Sequence, residues 1–319
     1  MKCKSSDFFL FITYICRMEK KDLTQLIKQE ALRLGFDDCG IAKAGRLEQE
    51  EHWFFDWLDN EFYAGMDYLS RNRDKRIDPN TLMEDAKSVI CLLSNYKPAQ
   101  WQKPELPQIA AFAYGSDYHI VLKERLYLLK NSIQTQTKAT MRLFTDTAPI
   151  LERAWALRAG LGWIGKSALL VSPRFGPFTF ISIILIDIEL EYDAPINPQC
   201  GDCQNCIESC PSRALCAPYT LDARRCISYH TIENKTSCTI DSYPYIFGCD
   251  ICIRVCPWGT CTPHTTFFSP LPNILNITEK EWMEITPDTF KQLFSGSALT
   301  RAGLAKLQNT LTLWNGKPK

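Results

Sequence analysis

Cys200, Cys203, Cys206 and Cys210, followed by Pro211, spell C-x2-C-x2-C-x3-C-P. Three thiolates at this spacing wrap three irons of one cubane iron–sulfur cluster, and the fourth, displaced onto the next turn, points at a neighbouring cluster. Four thiolates also suit tetrahedral zinc, but zinc sites usually pair two C-x2-C units rather than running three in register, so the spacing favours the cluster. A second ligand set is therefore required. Cys249, Cys252 and Cys256 with Pro257 supply C-x2-C-x3-C-P, and Ile246 stands where the first thiolate of that set belongs. An upstream cysteine must fill the gap; Cys226 and Cys238 are both candidates, and spacing does not choose between them. By analogy with crossed ligation in two-cluster proteins, Cys200, Cys203, Cys206 and Cys256 hold one 4Fe–4S cluster, while Cys210, Cys249, Cys252 and the upstream cysteine hold the other. Such a pair conducts single electrons, and the Cys200–Cys261 segment would suffice for that alone. The remainder of the chain is expected to house a substrate or a second redox cofactor. Cys3, Cys16, Cys39, Cys91, Cys216 and Cys261 lack this context and read as small hydrophobes.

Outside the cysteines, Asp146 is the carboxylate of interest. It follows a strand expected at Met141–Thr145, and its plain role is to favour the N-terminus of a helix starting at Thr147. In an apolar pocket the same carboxyl would have a raised pKa and could deliver a proton. Gly160, Gly162 and Gly165 match G-x-G-x-x-G, but the residues before them are helical, so they are expected to end a helix and admit close backbone approach rather than cradle a dinucleotide. Asp117-Tyr118-His119 matches the start of a cobalt-ligating D-x-H-x-x-G pattern, yet Leu122 occupies the glycine position and no histidine ligand is implied. His52, His230 and His264 share no spacing and read as structural.

These residues need elements to position them. Asp22 is expected to cap a helix with the stripe Leu23, Leu26, Ile27, Ala31 and Leu34, closed by Gly35. Trp53, Phe54, Trp57 and Leu58 recur at helical spacing, and Val89–Leu93 reads as a buried strand. Asp117 opens a helix carrying Ile120, Val121, Leu122, Leu126, Leu129 and Ile133, and Met141–Thr145 forms the strand before Asp146. Thr147 is expected to cap the next helix, with Pro149 in its first turn. The nearly continuous apolar run Phe178–Leu190 predicts a central strand buried on both faces. Pro195 and Pro198 punctuate a linker, and helical patches at Trp282–Phe294 and Leu299–Leu311 are expected to pack back on the first domain.

Composition sets the outer limits. The 319 residues, 45% hydrophobic, exclude disorder, and 36 basic against 36 acidic side chains leave no global field for nucleic acid or an anionic membrane. Any RNA must be held by a local patch. The basic run Arg71, Arg73, Lys75 and Arg76 reads first as a solvated surface and second as such a patch. Fifteen cysteines, an odd total, argue against a set of secreted-type disulfides. Phe8–Cys16 is shorter than the roughly 20 residues a membrane-spanning helix needs, and no cleavage site follows it. Residues 1–17 are read as a non-functional extension ahead of Met18.

Together, Asp146-Thr147-Ala148-Pro149-Ile150-Leu151-Glu152-Arg153, Gly160-Leu161-Gly162-Trp163-Ile164-Gly165-Lys166, Gly115-Ser116-Asp117-Tyr118-His119, Cys226-Ile227-Ser228-Tyr229 with Thr231-Ile232-Glu233, and the double cysteine run carry a family resemblance. From about Met18 to Pro257 the chain resembles the epoxyqueuosine reductases. The resemblance implies an α+β chain: an α/β-type cobalamin-binding domain with a mixed sheet at residues 18–192, a ferredoxin-like domain with two 4Fe–4S clusters at 193–262, and a helical tail at 263–319. It implies removal of the epoxide oxygen of epoxyqueuosine at the wobble position of tRNA, with electrons passing through the clusters to cobalt and Asp146 protonating the departing oxygen. That role requires Asp146 to be a neutral acid. The family's fourth ligand of the second cluster lies sixteen residues after Cys210, which selects Cys226 over Cys238. The corrin ring is expected near Asp146, Leu170, Ile181 and Ile184, with Ser228, Cys249 and Asp250 bringing up the second cluster. The chain resembles the short form without a C-terminal helical-repeat domain, so tRNA contact would fall to Arg71–Arg76, Arg224 and Arg225, with the anticodon base splayed into the pocket. The implied setting is a cytoplasmic monomer, not membrane-bound, served by an external electron donor. The rivals are another corrinoid iron–sulfur reductase acting on a small molecule and a non-enzymatic electron-transfer ferredoxin.

Overall fold

In this computed structural model, which describes residues 19–236 and 240–315, hydrophobic periodicity sorts the chain into one sheet and the helices that cover it. The extension at 1–17 and Cys238 lie outside the described residues. α1 (Lys20–Arg33) buries Leu23, Ile27 and Ala31, and begins two positions before Asp22, which sits in its first turn rather than at the cap. It is followed by β1 (Asp38–Lys43), α2 (Glu48–Asp59), α3 (Arg73–Ile77) and β2 (Ser88–Asn95), the last buried at every position. β3 (Gln108–Ile109), α4 (Tyr118–Gln136), β4 (Met141–Phe144) and α5 (Glu152–Arg158) come next. β5 (Trp163–Ile164) and β6 (Leu170–Val171) form a small hairpin before β7 (Thr179–Ile186).

The main sheet has the order β1-β2-β7-β4, with every neighbouring pair antiparallel. Alternate side chains of β2 and β7 serve two core layers. Ile90, Leu92, Ile184 and Ile186 face the layer formed with α1 and α4; Val89, Cys91, Leu93, Ile183 and Leu185 face Ala154 and Trp155 of α5. Burial on both faces explains the continuous apolar run of β7, which is central as expected. Later in the chain come α6 (Asn205–Glu208), the β8 (Leu215–Ala217) and β9 (Thr220–Leu221) hairpin, β10 (Tyr245–Phe247) and α7 (Ile251–Arg254). The α+β class holds, but the mixed sheet expected for the first domain is not seen among the described residues: its main sheet is antiparallel throughout, and the parallel pair, β10 with β3, forms a separate two-stranded sheet. α8 (Glu279–Glu284), α9 (Pro287–Phe294), a 3-10 turn at Ala298–Arg301 and α10 (Leu304–Asn315) return Trp282, Phe294, Leu299, Leu307 and Leu311 to the first core layer.

Two local results bear on the site. The glycine motif closes α5: Gly160 has a φ of +71°, and a Cβ at Gly162 would lie 2.3 Å from the Val171 carbonyl oxygen, so only glycine lets the β5–β6 hairpin close. No dinucleotide loop forms. The expected helix at Thr147 starts later, at Glu152, because Pro149 disfavours helical backbone at Ala148. Residues 145–151 are instead a loop, in which Asp146 takes a left-handed φ of +56°.

Candidate active site

β2 and β4 run out at the edge of the sheet where β7 begins, with Asn95 opposite Thr179. A cavity of about 420 Å³ opens there. Its apolar wall is made by Leu169, Leu170, Pro177, Phe180, Ile181 and Phe247, while Tyr118, His119, Asp146, Glu152, Arg153, Glu233 and Arg301 bring polar and charged groups. Ligand pockets typically set a small number of placed polar groups in an apolar lining.

Asp146 is the hub. Its Oδ2 accepts the Tyr118 hydroxyl at 2.7 Å, faces His119 Nε2 at 3.1 Å and lies 3.6 Å from the Arg301 guanidinium. Its backbone N–H donates to Glu152 Oε1 at 2.6 Å, which fastens the left-handed turn. Burial alone would raise its pKa, but the hydrogen bonds from His119 and Tyr118 and the charges of His119 and Arg301 outweigh burial and bring it to about 2. The Asp146 carboxyl is thus held well below the ordinary range, against the neutral acid expected from the sequence, which reckoned with burial and the helix dipole and not with the hydrogen bonds from His119 and Tyr118 or the Arg301 charge. Glu152 shows the opposite behaviour, pushed up to about 8 by burial and by the nearby Asp146 charge.

Each partner is held in turn. The Tyr118 ring stacks on Phe180 at 4.2 Å and 9°. His119 Nδ1 meets Asp117 Oδ1 at 2.7 Å, and the same carboxylate caps α4 by accepting the His119 backbone N–H. Burial opposes a charge on His119, yet Asp146 and Asp117 together raise its pKa. Arg301 also grips Glu233 at 2.7 Å, which fixes the guanidinium beside Asp146.

The eight motif cysteines fall into two groups. Cys200, Cys203 and Cys206 lie in one another's electrostatic field with Cys256, and Cys210, Cys226, Cys249 and Cys252 lie in another. α6 packs beside α7, each sitting just before the last cysteine of its run. The second group adjoins the cavity: Ser228, two residues after Cys226, and Phe247, two before Cys249, both line it. Cys252 also acts on Tyr96 and Arg153 of the cavity wall.

A family profile described as epoxyqueuosine reductase QueG, DUF1730, matches residues 76–147, and one described as a 4Fe-4S double cluster binding domain matches residues 199–259. The epoxyqueuosine reductase of Cellulophaga algicola is 42% identical over 299 residues, 92% of this chain and 98% of its own length. The chain belongs to the epoxyqueuosine reductase family. Two solved epoxyqueuosine reductases share its fold. One, bound to an epoxyqueuosine-modified tRNA stem loop, superposes with a TM-score of 0.84 at 26% identity, covering 92% of this chain and 81% of that one. The other, from Bacillus subtilis, has an aspartate-bearing catalytic loop swung out of the active site; its TM-score is 0.83 at 25% identity, with the same two coverages, 92% and 81%.

Within this epoxyqueuosine reductase fold, Asp146, Leu170, Ile181 and Ser228 line the cavity. Ile184 does not: three residues deeper in β7, it is fully buried in the first core layer and cannot meet a cavity ligand. Cys249 and Asp250 sit behind the wall, where Asp250 Oδ2 accepts the Ala111 N–H at 2.6 Å and burial raises that carboxyl to about 7. The basic run is not a uniform surface. Arg76 is buried and donates to the Tyr68 carbonyl, and Arg73 covers the Phe55 ring and pairs with Asp59, leaving Arg71 and Lys75 open. Arg224 is exposed but paired with Asp222. Sequence reasoning missed Tyr118, His119, Glu152, Arg153 and Arg301 as site residues. The first four adjoin recognised motifs and were findable; Arg301 has no local signal.

Proposed function

We propose that this chain reduces epoxyqueuosine to queuosine at the wobble position of tRNA, taking electrons from an external one-electron donor and acting as a cytoplasmic monomer. Among the described residues no helix is long and apolar enough to cross a membrane. The observation that carries the reading is the position of Asp146: tied by three side chains in a cavity that also has an apolar wall and is lined by Ser228 and Phe247, each two residues from a cysteine of the second thiol group.

The residues present fit the implied cofactors. Cys200, Cys203, Cys206 and Cys256 would hold one 4Fe–4S cluster, and Cys210, Cys226, Cys249 and Cys252 the other; four thiolates in each group meet the donor count. Leu170 from the β5–β6 hairpin and Phe180 and Ile181 from the start of β7 give the cavity an apolar lining that suits a flat apolar macrocycle, and these residues with Asp146 and Ser228 would hold cobalamin. When bound, the clusters supply single electrons and cobalamin a strongly reducing cobalt centre. The chain's own part is to exclude water with the apolar wall, to hold the substrate ring against Asp146, and to pass protons to the epoxide oxygen at Oδ2. The loop 145–151 opens for substrate entry and closes to set Asp146 in place, a motion supported by the swung-out loop of the Bacillus subtilis relative. An anticodon base splayed from its stack would enter the cavity.

The test is a cofactor-dependence experiment. Anaerobic protein loaded with both clusters is incubated with tRNA containing epoxyqueuosine and a chemical reductant, with and without cobalamin. Conversion only with cobalamin supports the reading; a cobalamin-independent conversion, or none with tRNA alongside turnover of halogenated small molecules, overturns it.

A further inference from the structure

The ring of His119 has a carboxylate on each nitrogen: Asp117 Oδ1 at 2.7 Å from Nδ1 and Asp146 Oδ2 at 3.1 Å from Nε2. A neutral imidazole has one N–H and one lone pair, so one contact would set a lone pair against a carboxylate oxygen. With both carboxyls ionised, two good contacts require two N–H groups. The ring is therefore an imidazolium at rest, and the Arg301 guanidinium at 3.6 Å keeps Asp146 from taking the proton in its place. Resting on the functional reading above, we propose that His119 is the proton store of this site: it gives its Nε2 proton to Asp146, which passes it to the epoxide oxygen. His119 is thus a positioning residue, acting through Asp146 rather than on the substrate.

The stoichiometry needs such a store. Converting an epoxide to an alkene breaks both C–O bonds, forms one C=C bond and releases the oxygen as water, which consumes two electrons from the external donor and two protons. A carboxylate that is ionised at rest brings neither proton. The His119–Asp146 pair brings one, and the second follows when Nε2 is recharged from solvent through Asp146, whose side chain is 45% exposed. Throughout, Asp117 holds the Nδ1 proton and the ring orientation, since it is itself fixed as the cap of α4.

The charged and titratable groups around the ring come from every element packed on it. Asp117 and Tyr118 belong to the start of α4, Asp146 to the loop, Glu152 and Arg153 to α5, and Arg301, paired with Glu233, to the 3-10 turn. Two of these, Asp117 and Asp146, bond the ring directly, so removing either charge should lower the pH at which the proton leaves.

The experiment is single turnover of epoxyqueuosine in tRNA by the fully loaded protein, measured against pH for wild type, His119→Gln and Asp117→Asn. Glutamine keeps a hydrogen-bonding side chain without a titrating proton, and asparagine still caps a helix. Expected are an alkaline limb in wild type, loss of that limb with a rate lowered by about 10²-fold or more in His119→Gln, and a limb moved to lower pH in Asp117→Asn. A His119→Gln protein that keeps the limb, or keeps the wild-type rate, overturns the assignment, as does an equal loss of rate at every pH with the limb retained. If His119→Gln does not retain its clusters, the Asp117→Asn limb decides, and an unmoved limb refutes the store. Wild-type protein unable to convert the substrate would instead overturn the functional reading itself.

Discussion

Tyr118→Phe removes one oxygen from the site and little else. The ring stays stacked on Phe180 at 4.2 Å, so packing is conserved while the 2.7 Å hydrogen bond to Asp146 is lost. A hydrogen bond to a charged group is worth about 1.5–3 kcal/mol. The Asp146 side chain is 45% exposed, and solvent screening reduces the expected contribution to about 1 kcal/mol. That is about five-fold in the equilibrium between the loop held in and the loop swung out. The folded pKa of Asp146, about 2, lies below the ordinary 3.8, so the tie is present above pH 4 and is lost as the pH falls through 2. A measurement at neutral pH therefore sees all of it. Hydrogen exchange of the 145–152 segment, whose Asp146 N–H is bonded to Glu152, should quicken about five-fold in the variant while exchange in β2 and β7 is unchanged. Unchanged exchange in 145–152, with or without a loss of turnover, would show that the hydroxyl does not hold the loop.

Glu152 has its folded pKa raised to about 8, so its contribution to stability is complete below its ordinary 4.5 and is lost as the pH rises through 8; Glu152→Gln should flatten the fall of Tm between pH 5 and 8. Gly162→Ala places a Cβ 2.3 Å from the Val171 carbonyl and should cost about 3 kcal/mol or more by thermal unfolding, whereas Gly45→Ala, with open space around it, should change little. Cys226→Ala and Cys256→Ala should each lose about half of the bound iron, and Cys238→Ala none, by iron analysis of anaerobic protein. Ile184→Ala should destabilise by about 2–5 kcal/mol as a core truncation without weakening cobalamin binding, while Ile181→Ala should weaken that binding, as read by absorbance titration.

What could be read from the sequence followed from signals that are local in the chain. The cysteine spacing set out both thiol groups, and the family pattern favoured Cys226, because ligand geometry dictates residue type at fixed offsets. β2 and β7 were readable because burial on both faces keeps their runs mostly apolar, with Ser182 the one polar residue inside β7. The helix expected at Thr147 failed on a local effect that was available: Pro149 restricts Ala148, and the loop it creates is what lets Asp146 reach the cavity. The ionisation of Asp146 was not legible, since it depends on Arg301, 155 positions away in the chain, and on a histidine dismissed for lacking a cobalt-binding glycine partner. Ile184 was misplaced because a β-strand alternates its faces, and position along β7 decides which residues reach the open end of the sheet.

The most direct measurement is mass spectrometry of the anticodon nucleosides after the cluster- and cobalamin-loaded protein has been incubated anaerobically with reductant and epoxyqueuosine-containing tRNA. The account predicts that the modified nucleoside loses one oxygen and becomes queuosine, and that Asp146→Asn abolishes this. Unaltered epoxyqueuosine with wild-type protein, or full conversion by the Asp146→Asn variant, would contradict it.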